Sequence, residues 1–202
     1  MHEGEQTIPS FGLHPWHLAD GWPAVLAQLL SNLDHADRVP KHFPLGVFEQ
    51  FSSAPVPIAL IGECGLDRLS ATPYWLQLEA FEAQIQVSEQ RRLPLILHCV
   101  RALDDVLRLK RGTHQPWIYH GFRGKPKQLR QLLDHGFFVS FGFRHNTESL
   151  RACPINRLFL ETDDTPLHIG NLYDIAAPLL NTPPDVLNEH LWQNASSLFL
   201  QR

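Results

Sequence analysis

Short apolar runs alternate with helix-patterned stretches along most of this chain, and that alternation constrains the fold more than any other feature. Strand-like runs are expected at Ile8–Leu13, Pro57–Ile61, Leu93–His98, Pro116–His120, Phe137–Gly142 and Arg157–Asp163. Between them, apolar residues recur at helical spacing. The first stripe is Trp22, Val25, Leu26, Leu29, Leu30 and Leu33, and the second is Trp75, Leu78, Phe81 and Ile85. Leu103, Val106 and Leu107 form a third, and Leu129, Leu132 and Leu133 a fourth, closed by Gly136. In the closing helix Thr182 is the expected N-cap, Pro183 the first helical residue and Asp185 the partner in a Thr-x-x-Asp capping pattern. Residues 34–57 hold Pro40, Pro44, Pro55 and Pro57 and read as a connection with a short helix near Gly46–Phe51. Strand–helix–strand repetition implies parallel strands joined by right-handed crossovers.

Two architectures share that pattern, and the polar groups separate them. Four strand-like runs lead to one group each: Glu63, between Gly62 and Gly65, then His98, His120 and Asp163. Polar groups at the ends of several strands suit the C-terminal mouth of a TIM-type (β/α) barrel. A doubly wound nucleotide fold would carry a glycine-rich phosphate loop after its first strand, and none is present. The expected fold is therefore α/β, of TIM-barrel type, in a single domain spanning residues 1–202. Two imidazoles and two carboxylates suit a divalent metal such as zinc, manganese, iron or magnesium. The alternative is a set of barrel-mouth residues hydrogen-bonded to neighbouring loops.

Bulk properties narrow the partners. A net charge of -4 and a pI near 6.3 argue against nucleic-acid binding through a broadly basic surface. A nucleic-acid substrate then requires a metal and a few local donors at the phosphates. Cys64, Cys99 and Cys153 are too irregularly spaced for a disulfide framework, which suits a reducing, cytoplasmic setting. No signal-peptide pattern or membrane-spanning apolar run is seen.

The segments "IGECGLD", "LPLILHCVRA", "WIYHGFRG" and "RLFLETDDTP" resemble, in order and nearly in spacing, motifs of the TatD family of metal-dependent deoxyribonucleases. "FGLHPW" resembles the family's Gly-x-His-Pro-His segment, Gln77, Phe81 and Gln84 echo the helix after the glutamate motif, and "QNASSLF" matches its closing helix. The resemblance covers residues 8–202 and implies a metallo-hydrolase TIM barrel that cleaves phosphodiester bonds of DNA with metal-activated water. Carried over by motif, Glu63 bridges two metals, His98 and His120 hold the second, and Asp163 serves the first and orients or deprotonates the attacking water. His14 and Arg101 are weaker substrate-side assignments, His14 having a turn-capping role as its alternative. His17 is read as a surface residue.

The departures carry expectations of their own. The family's His-x-His pair is not found in this sequence, and two βα units are expected to be lacking. Arg123 stands where a serine is usual, and Val100 where an arginine is usual. These departures imply one metal instead of two, weak binding and little nuclease activity. They also imply open barrel edges, which a homo-oligomer would cover. Two further readings remain beside the DNA hydrolase: an inactive barrel remnant that binds partners, and a related hydrolase acting on amides or esters.

Overall fold

Strands β1 (Ser10–Phe11), β2 (Leu60–Asp67), β3 (Leu95–Val100), β4 (Trp117–Tyr119), β5 (Phe138–Phe141) and β6 (Leu158–Leu160) stand side by side in sequence order. Every neighbouring pair is parallel. This computed structural model describes residues 10–34 and 60–199. Helices α1 (Trp22–Asp34), α2 (Tyr74–Arg91), α3 (Leu103–Lys110) and α4 (Pro126–Asp134) connect successive strands. Helix α5 (Thr147–Ala152) precedes β6, and α6 (Ile169–Leu179) and α7 (Pro184–Phe199) follow it. Strand order without reversal is the order of a (β/α) barrel wall, whereas a doubly wound sheet reverses at its switch point. The α/β TIM-barrel class expected from the sequence is the class observed. Among the described residues β1 and β6 each have one strand neighbour.

Strands covered on both faces should be apolar throughout. Accordingly β5 is buried at each of its positions, and β2 at all but Glu63. Phe81, Trp117 and Phe137 form the aromatic centre of the core, with successive ring centroids 5.5 and 5.7 Å apart in edge-on geometry. Asn194 fastens α7 to the entry of β6, its Nδ2 donating to Ile155 O at 2.8 Å and Leu158 O at 2.9 Å. No helix among the described residues is long and apolar enough to cross a membrane, and Cys64, Cys99 and Cys153 are all free thiols.

The architecture departs from the sequence reading in four places. First, β2 continues past Glu63 to Asp67, so Glu63 lies mid-strand and a second carboxylate stands at the strand's end. The β2–β3 register slips between Ile61 and Cys64, where the glycines sit. Gly62 has φ of 142°, and a Cβ there would lie 2.6 Å from the Ile96 carbonyl. Gly65, with φ of 144°, would collide with the His98 carbonyl. The glycines thus admit the backbone of β3 beside Glu63.

Second, Trp75 is 57% exposed and does not share the buried side of α2. That side instead carries Gln77 and Gln84, buried because their amides are fully used by backbone. Gln84 accepts from Leu13 N and donates to Leu13 O at 2.6 and 3.2 Å. Gln77 does the same to Asp67, at 2.7 and 3.0 Å.

Third, α7 begins at Pro184, after Thr182 and Pro183. The Thr182 hydroxyl donates back to Leu180 O at 3.1 Å, and the Pro183 carbonyl accepts the first helical bond, from Leu187 N at 2.8 Å. Fourth, α5 and α6 were not anticipated; side chains of Asn146 and His168 cap them by accepting from Ser149 N and Gly170 N. In the first strand-like run only Ser10–Phe11 pairs, Ile8 and Pro9 lying outside the described residues. The expected connection and short helix within residues 34–57 also lie outside them, apart from the end of α1.

Candidate metal centre

Parallel strands deliver side chains from consecutive elements to one end of the sheet. His14 follows β1, Glu63 lies in β2, His98 in β3, His120 directly after β4, and Asp163 beyond β6. Two triads of potential ligands result: His14, Glu63 and His98, and His120, Glu161 and Asp163, each with its donor atoms within 4.8 Å of one another. Glu63 joins them, its Oε2 lying 3.8 Å from His14 Nε2 and 3.6 Å from His120 Nε2. The rings of His98 and His120 stack 6.1 Å apart, which brings the two triads side by side.

Each strand-end histidine has a carboxylate at its back. Asp67 Oδ2 faces His98 Nε2 at 3.3 Å, and Glu161 Oε1 faces His120 Nδ1 at 3.0 Å. Outer carboxylates of this kind set the tautomer and ring orientation of metal-ligating histidines. Asp67 is itself tied down. It is 3% exposed, accepts from Trp16 Nε1 at 2.6 Å and from Leu69 N at 2.7 Å, and its backbone is clamped by Gln77. Glu161 differs: no donor hydrogen is aligned on its buried Oε1, so its contact with His120 is a charge pair without a formed hydrogen bond. With the imidazoles of His98 and His120 and the carboxylates of Glu63 and Asp163 at hand, the donor set fits a divalent metal.

His14 is placed differently. Its Nδ1 accepts from Trp16 N at 3.2 Å and so caps the short 3₁₀ turn Pro15–His17. An acceptor Nδ1 in a neutral ring puts the proton on Nε2, the nitrogen that faces Glu63. In that tautomer His14 offers the site a hydrogen-bond donor. Ligating a metal through Nε2 would require giving up the cap.

Burial and neighbouring charge push the titrating groups apart. His14 is held down to about 3 by burial and by His98, His17 and His120 around it. His98 is also lowered by burial, against the opposing pull of Asp67. Burial would lower His120 too, but Glu161, Glu63 and Asp163 outweigh it and raise the ring to about 9. Glu63 is raised by burial, with His120 opposing. Asp67 is lowered because its bonds from Trp16 and Leu69, with His98, overcome its desolvation.

Asp163 is exposed and sits in the left-handed region at φ of 50°, which aspartate tolerates better than most residues. It lines a shallow cleft together with Gly121, Arg123, Arg144 and Glu161. Arg101 also has positive φ, 53°, and is exposed; no hydrogen bond or ion pair ties it to the clustered groups among the described residues. His17 is exposed at the end of the 3₁₀ turn, its ring 5.8 Å from that of His14. Asp67 and Glu161 are the site residues that sequence reasoning passed over. Both stand inside the motifs already singled out, Asp67 four residues after Glu63 in the same strand and Glu161 directly after β6, two residues before Asp163.

Comparison with known proteins identifies the family and the fold. The family model described as TatD related DNase matches residues 1–200. A deoxyribonuclease Tat-D of Schizosaccharomyces pombe is 31% identical over 137 residues, which span 57% of this chain and 42% of that relative. A 3'-5' ssDNA/RNA exonuclease TatD of a Pantoea species is 28% identical over 206 residues, spanning 92% of this chain and 70% of that protein. The chain thus spans less than half of the first of these curated relatives and about two thirds of the second. In fold it is similar to the crystal structure of YJJV, a TatD homologue from Escherichia coli K12, with a TM-score of 0.78 at 22% identity over 96% of this chain and 77% of that one. With a family match over nearly its whole length and the same fold in solved relatives, this chain belongs to the TatD related DNase family.

Proposed function

We propose that the protein is a metal-dependent hydrolase of phosphodiester bonds in DNA, working at the junction of the two triads. The observation that carries this reading is the position of Glu63, whose Oε2 lies within 4 Å of both His14 and His120. One carboxylate between two donor groups is suited to being shared by two cations. In this assignment His98, backed by Asp67, serves the first triad, while His120, backed by Glu161, and Asp163 serve the second. A bound divalent ion, with zinc, manganese and magnesium as the candidates, would lower the pKa of water and screen the phosphate charge.

The chain's own residues supply the rest. Asp163, exposed at the edge of the cleft, positions a water molecule and takes its proton. His14, with its proton on Nε2, donates to a phosphate oxygen on the Glu63 side. Arg101, exposed after β3, remains a weaker contact to the substrate backbone. Relatives named as deoxyribonuclease and as ssDNA/RNA exonuclease support a nucleic-acid substrate.

The test is cleavage of a 5'-labelled single-stranded oligonucleotide by the purified chain, with manganese, magnesium or zinc added to chelator-stripped protein. Metal-dependent shortening that disappears in Glu63→Gln supports the reading. No cleavage with any of the three ions, or cleavage unchanged in Glu63→Gln, contradicts it.

A further inference from the structure

We infer that Trp16 is a stacking platform for one nucleobase of a single-stranded substrate, fixed in place beside the metal centre. This inference rests on the nucleic-acid reading above and deepens it. Trp16 is 57% exposed, although tryptophan is ordinarily among the more buried side chains. It is nonetheless held. Its Nε1 donates at 2.6 Å to Asp67, a buried carboxylate that also faces His98. Its ring meets the rings of His14 and His98 edge-on, at interplanar angles of 82° and 76° with centroids 5.0 and 5.6 Å away. Among the described residues no aromatic ring stacks flat on the indole. The one polar atom of the ring is therefore satisfied, its orientation is set from the site side, and more than half of the residue remains open to solvent.

Two further features support this role. Leu69, 62% exposed, anchors its backbone N–H on the same Asp67 carboxylate that holds Trp16, so that carboxylate is fixed from two sides beneath the indole. The protein's net charge of -4 leaves little general attraction for a nucleic-acid backbone. Stacking on an aromatic ring binds any base through its π-face and does not depend on a basic surface. A phosphate at the triads and a base on Trp16 would be adjacent parts of one strand. Trp16 would then determine how the strand is positioned for hydrolysis.

The experiment is equilibrium binding of non-hydrolysable phosphorothioate oligonucleotides to the chain, read by fluorescence anisotropy. One set carries all bases; in the others a single position is abasic. Trp16→Ala removes the ring, whereas Trp16→Phe keeps a ring but cannot donate to Asp67. At one position the abasic substitution should weaken binding to the natural chain by about tenfold and cost Trp16→Ala almost nothing, since the partner is already gone. Trp16→Phe should bind the full oligonucleotide within a few-fold of the natural chain. The inference is overturned if Trp16→Ala and every abasic substitution weaken binding independently. It is equally overturned if Trp16→Phe is as impaired as Trp16→Ala, which would mean that the indole acts only through Asp67. If the natural chain binds none of the oligonucleotides, the nucleic-acid reading itself fails; if it binds them with independent losses, only the role of Trp16 does.

Discussion

The two triads hold similar donors in opposite electrostatic conditions. On the β1–β3 side, His14 and His98 are kept neutral by burial, and the carboxylate behind His98 is saturated with hydrogen bonds from Trp16 and Leu69. On the β4–β6 side, carboxylates surround His120 and hold a proton on it up to about pH 9, while Glu161 lacks an aligned donor and Asp163 is exposed. By this contrast His98 meets a cation as a neutral ring, whereas His120 must first release a proton. The contrast also shows where order comes from. The first half is braced by Gln77 and Gln84 from α2, while the second depends on short strand ends and the turns that follow them.

Removing the carboxylate common to both halves should have the largest effect. Glu63→Gln is expected to lower metal-dependent cleavage by more than a hundredfold, beyond the roughly 10–100-fold typical of partners one layer further out. Steady-state kinetics, with circular dichroism to verify folding, would measure it.

The outer carboxylates come next and should distinguish the halves. Asp67→Asn and Glu161→Gln are each expected to weaken metal binding by about 10–100-fold. Only Glu161→Gln should also lower the pKa of His120, which can be followed by NMR titration of the ring. A shift of His120 in Asp67→Asn of the same size would remove the distinction.

Proton release provides a third test. Because His120 is protonated below about pH 9 in the metal-free chain, metal must displace that proton. Affinity at the β4–β6 side should therefore rise by about tenfold per pH unit from 7 to 9 and then level off. Calorimetry in buffers of different ionisation enthalpy should register about one proton released per ion bound there at pH 7.

Stability of the metal-free chain should reflect the same opposition more weakly. The raised pKa of His120 contributes stability below its unfolded value of 6.5 that is lost as pH climbs towards 9. His14, depressed to about 3, acts the other way: the unfolded chain takes up its proton below 6.5, so stability falls as the medium is acidified. Thermal midpoints should peak near pH 6.5, and His120→Asn should flatten the alkaline limb alone.

Much of this site was legible because strand ends are conspicuous in sequence. Glu63, His98, His120 and Asp163 each interrupt or follow an apolar run, and the alternation of runs predicted the parallel sheet that carries them. Asp67 and Glu161 were not legible as partners, because the choice of which carboxylate backs which histidine is made only when strands lie side by side. Trp75 misled for a related reason. Apolar spacing put it inward, but Gln77 and Gln84 bury more favourably once their amides bond the backbone of Asp67 and Leu13. Helices α5 and α6 are capped by Asn146 and by His168, and their short or weakly patterned sequences give periodicity little to show.

The measurement that bears most directly on Glu63 as the shared ligand is a zinc titration of the metal-free chain and of Glu63→Gln by calorimetry. Zinc binding in the natural chain should be weakened at every site the titration resolves when Glu63 is replaced, with the thermal midpoint of the metal-free protein preserved. Zinc binding of unchanged affinity and stoichiometry in Glu63→Gln would contradict the account.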